Sequence, residues 1–281
     1  MSINIDASGL SLLSCHRKYW LTCIKGVPSP QNEYSNFGSA FHKVVEELSP
    51  FVPNIDDELL LRTVVLTGKR YNIANPSRLM AACRTALNFA GKIFNAPVAL
   101  EHRFSREYMP SIFLQGTGDR WDIINDHAVV TDWKTVTDPR KDINVYNSKL
   151  QIPFYVWNAV QNPDDYPEAL RPYLRDKKVY GQFAGVYYTL APVRIDLSEP
   201  IFYSETLEEE VSAMVESAAS LINDLADATA LPLPTGLLDG HQCKHCQFKR
   251  LCKTHTGSAR GAMLDNLLSV TKPYEPLHFR D

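Results

Sequence analysis

Midway along the chain two strand-like stretches, "QGTGDRWDII" and "HAVVTDWKTV", meet at the dipeptide Asn125–Asp126. Apolar and polar residues that alternate on both sides of so short a break predict an antiparallel hairpin with Asn125 and Asp126 as the central residues of its turn. Each residue then pairs with the one equidistant across the turn, which sets Asp119 opposite Asp132. Side chains alternate along a strand, so Asp132 and Lys134 share one face while Val129, Thr131 and Trp133 share the other. An isolated Asp-x-Lys is explained by an edge strand with one solvated face. Two carboxylates directly opposite each other repel, and a divalent cation with oxygen ligands is the common compensation. A cation that activates water, beside an ammonium that offsets negative charge, suits the hydrolysis of a phosphate ester.

The flanking pattern predicts a mixed α/β fold. Helical periodicity runs through "LSLLSCHRKYWLTCIKG" and "FGSAFHKVVEELSPF", and residues 56–95 read as mainly helical with a break at Pro76. Strands are expected at 98–104, 112–124, 128–136, 179–190 and 193–203, with helices at about 145–161 and in the amphipathic "SETLEEEVSAMVESAASLINDLADA". "LPLPTGLLDG" reads as a linker. On helices, His42 and Glu46 lie one turn apart, as a ligand and an orienting partner would, and so do Gln151 and Tyr155.

At 281 residues the chain can bury a full core. Its formal net charge of -3 argues against a broad basic surface that coats nucleic acid, though not against a narrow phosphate site built on a cation and a few local lysines and arginines. No apolar run approaches the roughly 20 residues that span a bilayer. "MSINIDASGL" lacks the basic start and apolar stretch of a secretory signal, so a cytoplasmic setting is expected, in which the six cysteines are thiols or metal ligands.

Cys243, Cys246 and Cys252 form C-x2-C-x5-C, a ligand cluster in want of a fourth member. Candidates are Cys15, Cys23, His241, His245 and His255, and local spacing alone favours zinc in a Cys3His site. Arg17, Lys18, Tyr19 and Trp20, together with Lys244, Lys249 and Arg250, combine positive charge with rings as single-stranded DNA channels do.

An Asp followed about a dozen residues later by Asp-x-Lys resembles the signature of the PD-(D/E)XK nucleases, here Asp119, Asp132 and Lys134. "GSAFHKVVEE", "LEHRF" and "QIPFYVW" resemble the histidine helix, the strand before the hairpin and the Gln-x-x-x-Tyr helix of the RecB-type branch. "SLLSCHRKYWL" with "CKHCQFKRLC" resembles its iron-sulfur members, and the pieces stand in the family's order from about residue 10 to 255. The resemblance implies a restriction-endonuclease-like mixed sheet flanked by helices, in a single domain over 1–281. It implies an iron-sulfur subdomain from about 10–30 plus 235–256, followed by an extension at 257–281.

The implied activity is a metal-dependent DNA exonuclease. His42, Asp119, Asp132 and the Trp133 carbonyl would bind Mg or Mn; Lys134 and Gln151 would position phosphate and water; Glu46, Glu101 and Tyr155 would support them. Cys15, Cys243, Cys246 and Cys252 would carry a [4Fe-4S] cluster, which displaces the zinc reading and leaves Cys23 and Cys83 as small buried hydrophobes. No P-loop or helicase motif is present, so unwinding would fall to a separate helicase or a recombination or adaptation protein. The rival is a non-catalytic binding module that retains the fold and a structural metal.

Overall fold

A computed structural model describes residues 3–27, 32–94, 96–147, 149–226, 246 and 248. The chain divides into two compact units, one of residues 31–105 and 115–212 and the other of residues 1–30, 106–114 and 213–281.

In the first unit the sheet is assembled on the hairpin. Strand β3 (Ile112–Ile124) pairs antiparallel with β4 (His127–Val136) in the expected register, from Ile124 opposite His127 to Arg120 opposite Thr131. Asn125 and Asp126 both take positive φ, 49° and 62°, as the mirror-image two-residue turn requires. On the far side of β4, β5 (Val179–Tyr187) runs parallel to it, with Asp132 beside Phe183 and Lys134 beside Gly185. Strand β4 is therefore central, not an edge, and Ala128 through Trp133 are buried on both faces. Strand β2 (Ala99–Met109) pairs with β3. Strands β6 (Arg194–Leu197) and β7 (Ile201–Phe202) both pair antiparallel with β5. The single strand expected at 193–203 is split ahead of Ile201 by Pro200, which has no N–H for a ladder.

The two faces of β4 meet different helices. Trp133 packs into a cluster with Phe41, Val44 and Val45 of α3 (Glu33–Leu48), Leu60 and Val64 of α4 (Asp57–Arg70), and Ala82, Ala86 and Ala90 of α5 (Pro76–Ile93). Helix α3 starts at a capping box in which Asn32 and Ser35 exchange hydrogen bonds of 2.9 Å. The opposite face, with Val130 and Asp132, meets α6 (Gln151–Gln161). That helix starts later than the sequence pattern indicates, because Ile143–Tyr146 forms a separate 3-10 turn. A short helix, α7 (Arg171–Arg175), precedes β5.

In the second unit a short strand unforeseen in the sequence, β1 (Ile3–Ile5), pairs in parallel with Ile112–Leu114. It leads into α1 (Ala7–Leu12), which is capped by Asp6 accepting from the Gly9 N–H, and then into α2 (His16–Tyr19) and a π turn, Trp20–Ile24. The acidic-tipped helix α8 (Glu205–Ala226), which begins in the first unit, buries Val215, Ala219 and Ile222 at helical spacing in its part from Ala213 on. Among the described residues no helix is long and apolar enough to cross a membrane.

Helix α6 reaches β5 closely because Gly181 has no side chain. A Cβ there would stand 2.5 Å from Ile152 Cγ2 and 2.8 Å from Val130 Cγ1. Gly181→Ala should therefore lower stability by about 1–3 kcal/mol through overpacking. Urea unfolding measures this, and an unchanged midpoint would show that α6 can move off the sheet freely.

Candidate active site

Asp119, on β3, is partly buried, and its Oδ2 is held from two directions. The Trp133 N–H of β4 donates to it at 2.8 Å, and His42 Nδ1, from α3, stands 3.2 Å away. Next to this contact Asp132 is 1% exposed in the middle of the sheet. Its Oδ2 is 2.6 Å from Lys134 Nζ and its Oδ1 accepts from Gln151 Nε2 at 2.6 Å. Lys134 Nζ also donates to Gln151 Oε1 at 2.8 Å, which closes a three-membered ring of side chains. Gln151 Nε2 lies 3.1 Å from the Tyr155 hydroxyl one helical turn on. With its oxygen on an ammonium and its nitrogen on a carboxylate, the Gln151 amide has one sensible orientation.

Glu101 completes the site. Ligand atoms of His42, Glu101 and Asp119 all lie within 4.8 Å of one another. Glu101 sits near the start of β2 with φ of 46°, a left-handed backbone that non-glycine residues adopt sparingly and that clusters at functional sites. A cation bound by each donor at roughly 2.0–2.3 Å needs ligand atoms roughly 3–4.5 Å apart, so these three residues fit one after small adjustments. Two carboxylates and one imidazole suit Mn, and the carboxylates also suit Mg. Asp132 is not in this three-residue group; its Oδ1 accepts from Gln151, while its buried Oδ2 has only the ion-pair contact with Lys134 and accepts no hydrogen bond.

The titrations reflect crowded negative charge. Burial alone would lower the His42 pKa, but the Asp119 carboxylate beside it, with Asp132 further off, outweighs burial and holds the imidazole up at about 9. Burial pushes Asp119 upward, yet the His42 imidazolium, the Trp133 N–H and Lys134 keep it below the ordinary carboxylate value. Asp132 is raised to about 6, first by burial and then by the charge of Asp119. Burial, and then Asp119, raise Glu101 to about 7.

Several sequence expectations need correction. Glu46 does not orient His42; its carboxylate lies 3.0 Å from Lys43, and Asp119 is the partner of His42. Glu101, which sequence pattern alone supports least, belongs to the candidate metal group. Arg17, Tyr19 and Trp20 are 3%, 1% and 3% exposed, so they face the core and present no rings or charge to a strand; Lys18 keeps partial exposure. Cys83 is buried as expected, but Cys23 is exposed on the π turn, where the inward positions go to Trp20, Leu21 and Ile24. Cys15 is buried and Cys246 partly exposed. Cys243, Cys252, His241, His245, His255, Lys244, Lys249, Arg250 and the segment 257–281 lie outside the described residues.

The raised imidazole and Glu101 values fix a sign for metal binding. Below about pH 9 the metal-free site carries a proton on His42, and near pH 7 it carries a partial one on Glu101. Both must leave before these atoms can bind a cation, so Mn affinity should rise with pH between 7 and 9, with release of about one proton or more per metal at pH 7. Calorimetric titration in buffers of different ionisation enthalpy counts the protons. No release would contradict His42 and Glu101 as ligands.

The sequence profile of the PD-(D/E)XK nuclease superfamily matches residues 10–253. Among solved structures, a Eubacterium rectale protein named "Putative exonuclease" aligns with a TM-score of 0.54 at 11% identity, over 98% of this chain and 91% of that one. The crystal structure of SSO0001 aligns at 14% identity over 78% of this chain and 96% of that one, and its TM-score of 0.34 carries no weight. No curated protein matches the chain. A profile match over most of the length, on a mixed sheet that brings Asp119, Asp132, Lys134 and Gln151 together, establishes that this chain belongs to the PD-(D/E)XK nuclease superfamily.

Proposed function

We propose that the chain is a Mg- or Mn-dependent DNA exonuclease that hydrolyses phosphodiester bonds from single-stranded ends. The observation that carries this reading is the junction of two side-chain sets, His42–Glu101–Asp119 and Asp132–Lys134–Gln151, at adjacent positions of one hairpin. The first set would hold the cation, with Asp132 and the Trp133 carbonyl as further donors. When bound, the cation supplies Lewis acidity toward phosphate oxygen and lowers the pKa of a coordinated water. Lys134, partly exposed, offers its ammonium to the phosphate, where it offsets the negative charge that grows as water attacks phosphorus. Gln151, fixed by Asp132 and Tyr155, holds that ammonium in place and orients the water. The name of the Eubacterium rectale protein agrees with action at ends.

Recombination or DNA processing is the proposed setting, with strand separation supplied by a partner helicase or by a recombination or adaptation protein. We further propose that Cys15 and Cys246, with Cys243 and Cys252, bind a [4Fe-4S] cluster. Its role would be to tie together distant parts of the chain, not to transfer electrons.

End-labelled single- and double-stranded DNA, incubated with Mn and wild-type protein, should shorten stepwise, fastest for the single strand. Asp119→Ala, Asp132→Asn and Lys134→Met should each cut the rate at least about a hundredfold with the fold retained. No cleavage by the wild-type protein at saturating Mn or Mg would return the chain to a non-catalytic binding module, and wild-type turnover in the Asp132→Asn variant would remove Asp132 from the reaction.

The cluster is tested by colour. Purified protein should be brown, and Cys15→Ser should bleach it as fully as Cys246→Ser does, because each thiolate is a cluster ligand. A colourless protein with one zinc per chain, insensitive to Cys15→Ser, would replace the cluster by a local zinc site.

A further inference from the structure

Between β4 and α6 the chain passes through the 3-10 turn Ile143–Tyr146, and two lysines flank the turn's last residue. Lys141 Nζ stands 4.2 Å from the centroid of the Tyr146 ring and donates to its hydroxyl at 3.1 Å, while Lys149 Nζ stands 4.7 Å from the same centroid. Tyr146 is 9% exposed and its ring meets Phe183 at 5.7 Å. Lys134 Nζ in turn lies 5.5 Å from the Phe183 centroid. Three ammonium groups thus stand over two touching rings.

The carboxylates nearest along the chain are committed elsewhere. Asp132 is bound to Lys134 and Gln151, Asp138 to Arg140, and Asp142 caps the 3-10 turn by accepting from the Asn144 N–H. Among the described residues neither Lys141 nor Lys149 belongs to an ion pair, although both are exposed and sit on a protein of formal net charge -3. Burial and the like charges of Lys134 and Lys141 depress the Lys149 pKa. Ring faces attract ammonium groups only modestly, and like charges held close repel; an anion between them removes the repulsion. Since Tyr146 is covered, it serves the lysines as a floor, and bases have no ring face to stack on there. Contacts of this kind read the backbone, not the sequence.

We propose that Lys141 and Lys149, braced on Tyr146, hold the backbone phosphate that neighbours the one seated at Lys134 of a bound nucleic-acid strand. The assignment rests on the nuclease reading for the polarity of the site, but the binding it requires does not depend on cleavage. It makes Lys141 and Lys149 the residues that set the strand's register ahead of the chemistry.

The test is fluorescence anisotropy with a labelled single-stranded oligodeoxynucleotide in EDTA, so that no cleavage occurs. Lys141→Gln and Lys149→Gln should each weaken binding about five- to tenfold at low salt. Each should make the slope of log K against log salt shallower by about 0.7, the value for one phosphate contact on a single strand. Arg140→Gln, in the same loop but already paired with Asp138, should leave the slope unchanged. A single methylphosphonate linkage stepped along the oligonucleotide should weaken wild-type binding at one position where it no longer affects the double variant. The proposal is overturned if both lysine variants keep the wild-type slope, if Arg140→Gln shifts it as much, or if no methylphosphonate position separates wild type from the double variant. A wild type that binds in this way but never cleaves would count against the nuclease reading and leave the phosphate site standing.

Discussion

A carboxylate in the middle of a central strand must be paired, because burying its charge unaccompanied costs more than a domain of this size has to spare. Asp132 meets that demand with Lys134 on its own strand and Gln151 from α6, both at close hydrogen-bond distance. The pairing has a structural price. Helix α6 must lie close on the sheet, which Gly181 permits, and β4 must be enclosed by β3 and β5. On the other side Asp119 is met by His42 of α3 and by the backbone of Trp133, whose indole belongs to the core beneath α3 and α5. Each catalytic candidate is thus anchored in an element whose opposite face is core.

Negative charge is nonetheless left in excess around His42. Asp119, Glu101 and Asp132 perturb one another, and the site relieves this by holding a proton on the imidazole and raising two of its carboxyl groups. A bound cation would relieve it better, since it can replace those protons and neutralise several oxygens at once. At the Lys141–Lys149 end the imbalance has the opposite sign. Negative charge that wants a cation, next to positive charge that wants a phosphate, is the arrangement a cation-assisted phosphodiesterase requires.

Local pattern made much of this legible. The Asn125–Asp126 turn set the hairpin register, and with it the neighbourhood of Asp119 and Asp132, because a two-residue turn leaves no freedom to slip. The i, i+4 spacing of Gln151 and Tyr155 corresponds to a real contact. The same spacing misled at Glu46, where a nearer Lys43 captured the carboxylate. Glu101 was hard to find because its place depends on a left-handed backbone and on pairing across the sheet. Arg17, Tyr19 and Trp20 looked like a binding surface by residue type alone, and type does not say which way a short helix faces. Lys141 and Lys149 sit in a stretch without periodicity, so nothing before the fold connects them to Tyr146.

The central claim is that His42, Glu101 and Asp119 share one cation at the edge of the Asp132–Lys134–Gln151 ring. Crystals grown with manganese and measured at its absorption edge test this most directly. A single anomalous peak within coordination distance of all three residues, with the Asp132–Lys134–Gln151 ring retained beside it, is the predicted result. A peak elsewhere, or none at saturating manganese with the three side chains well ordered, would contradict it.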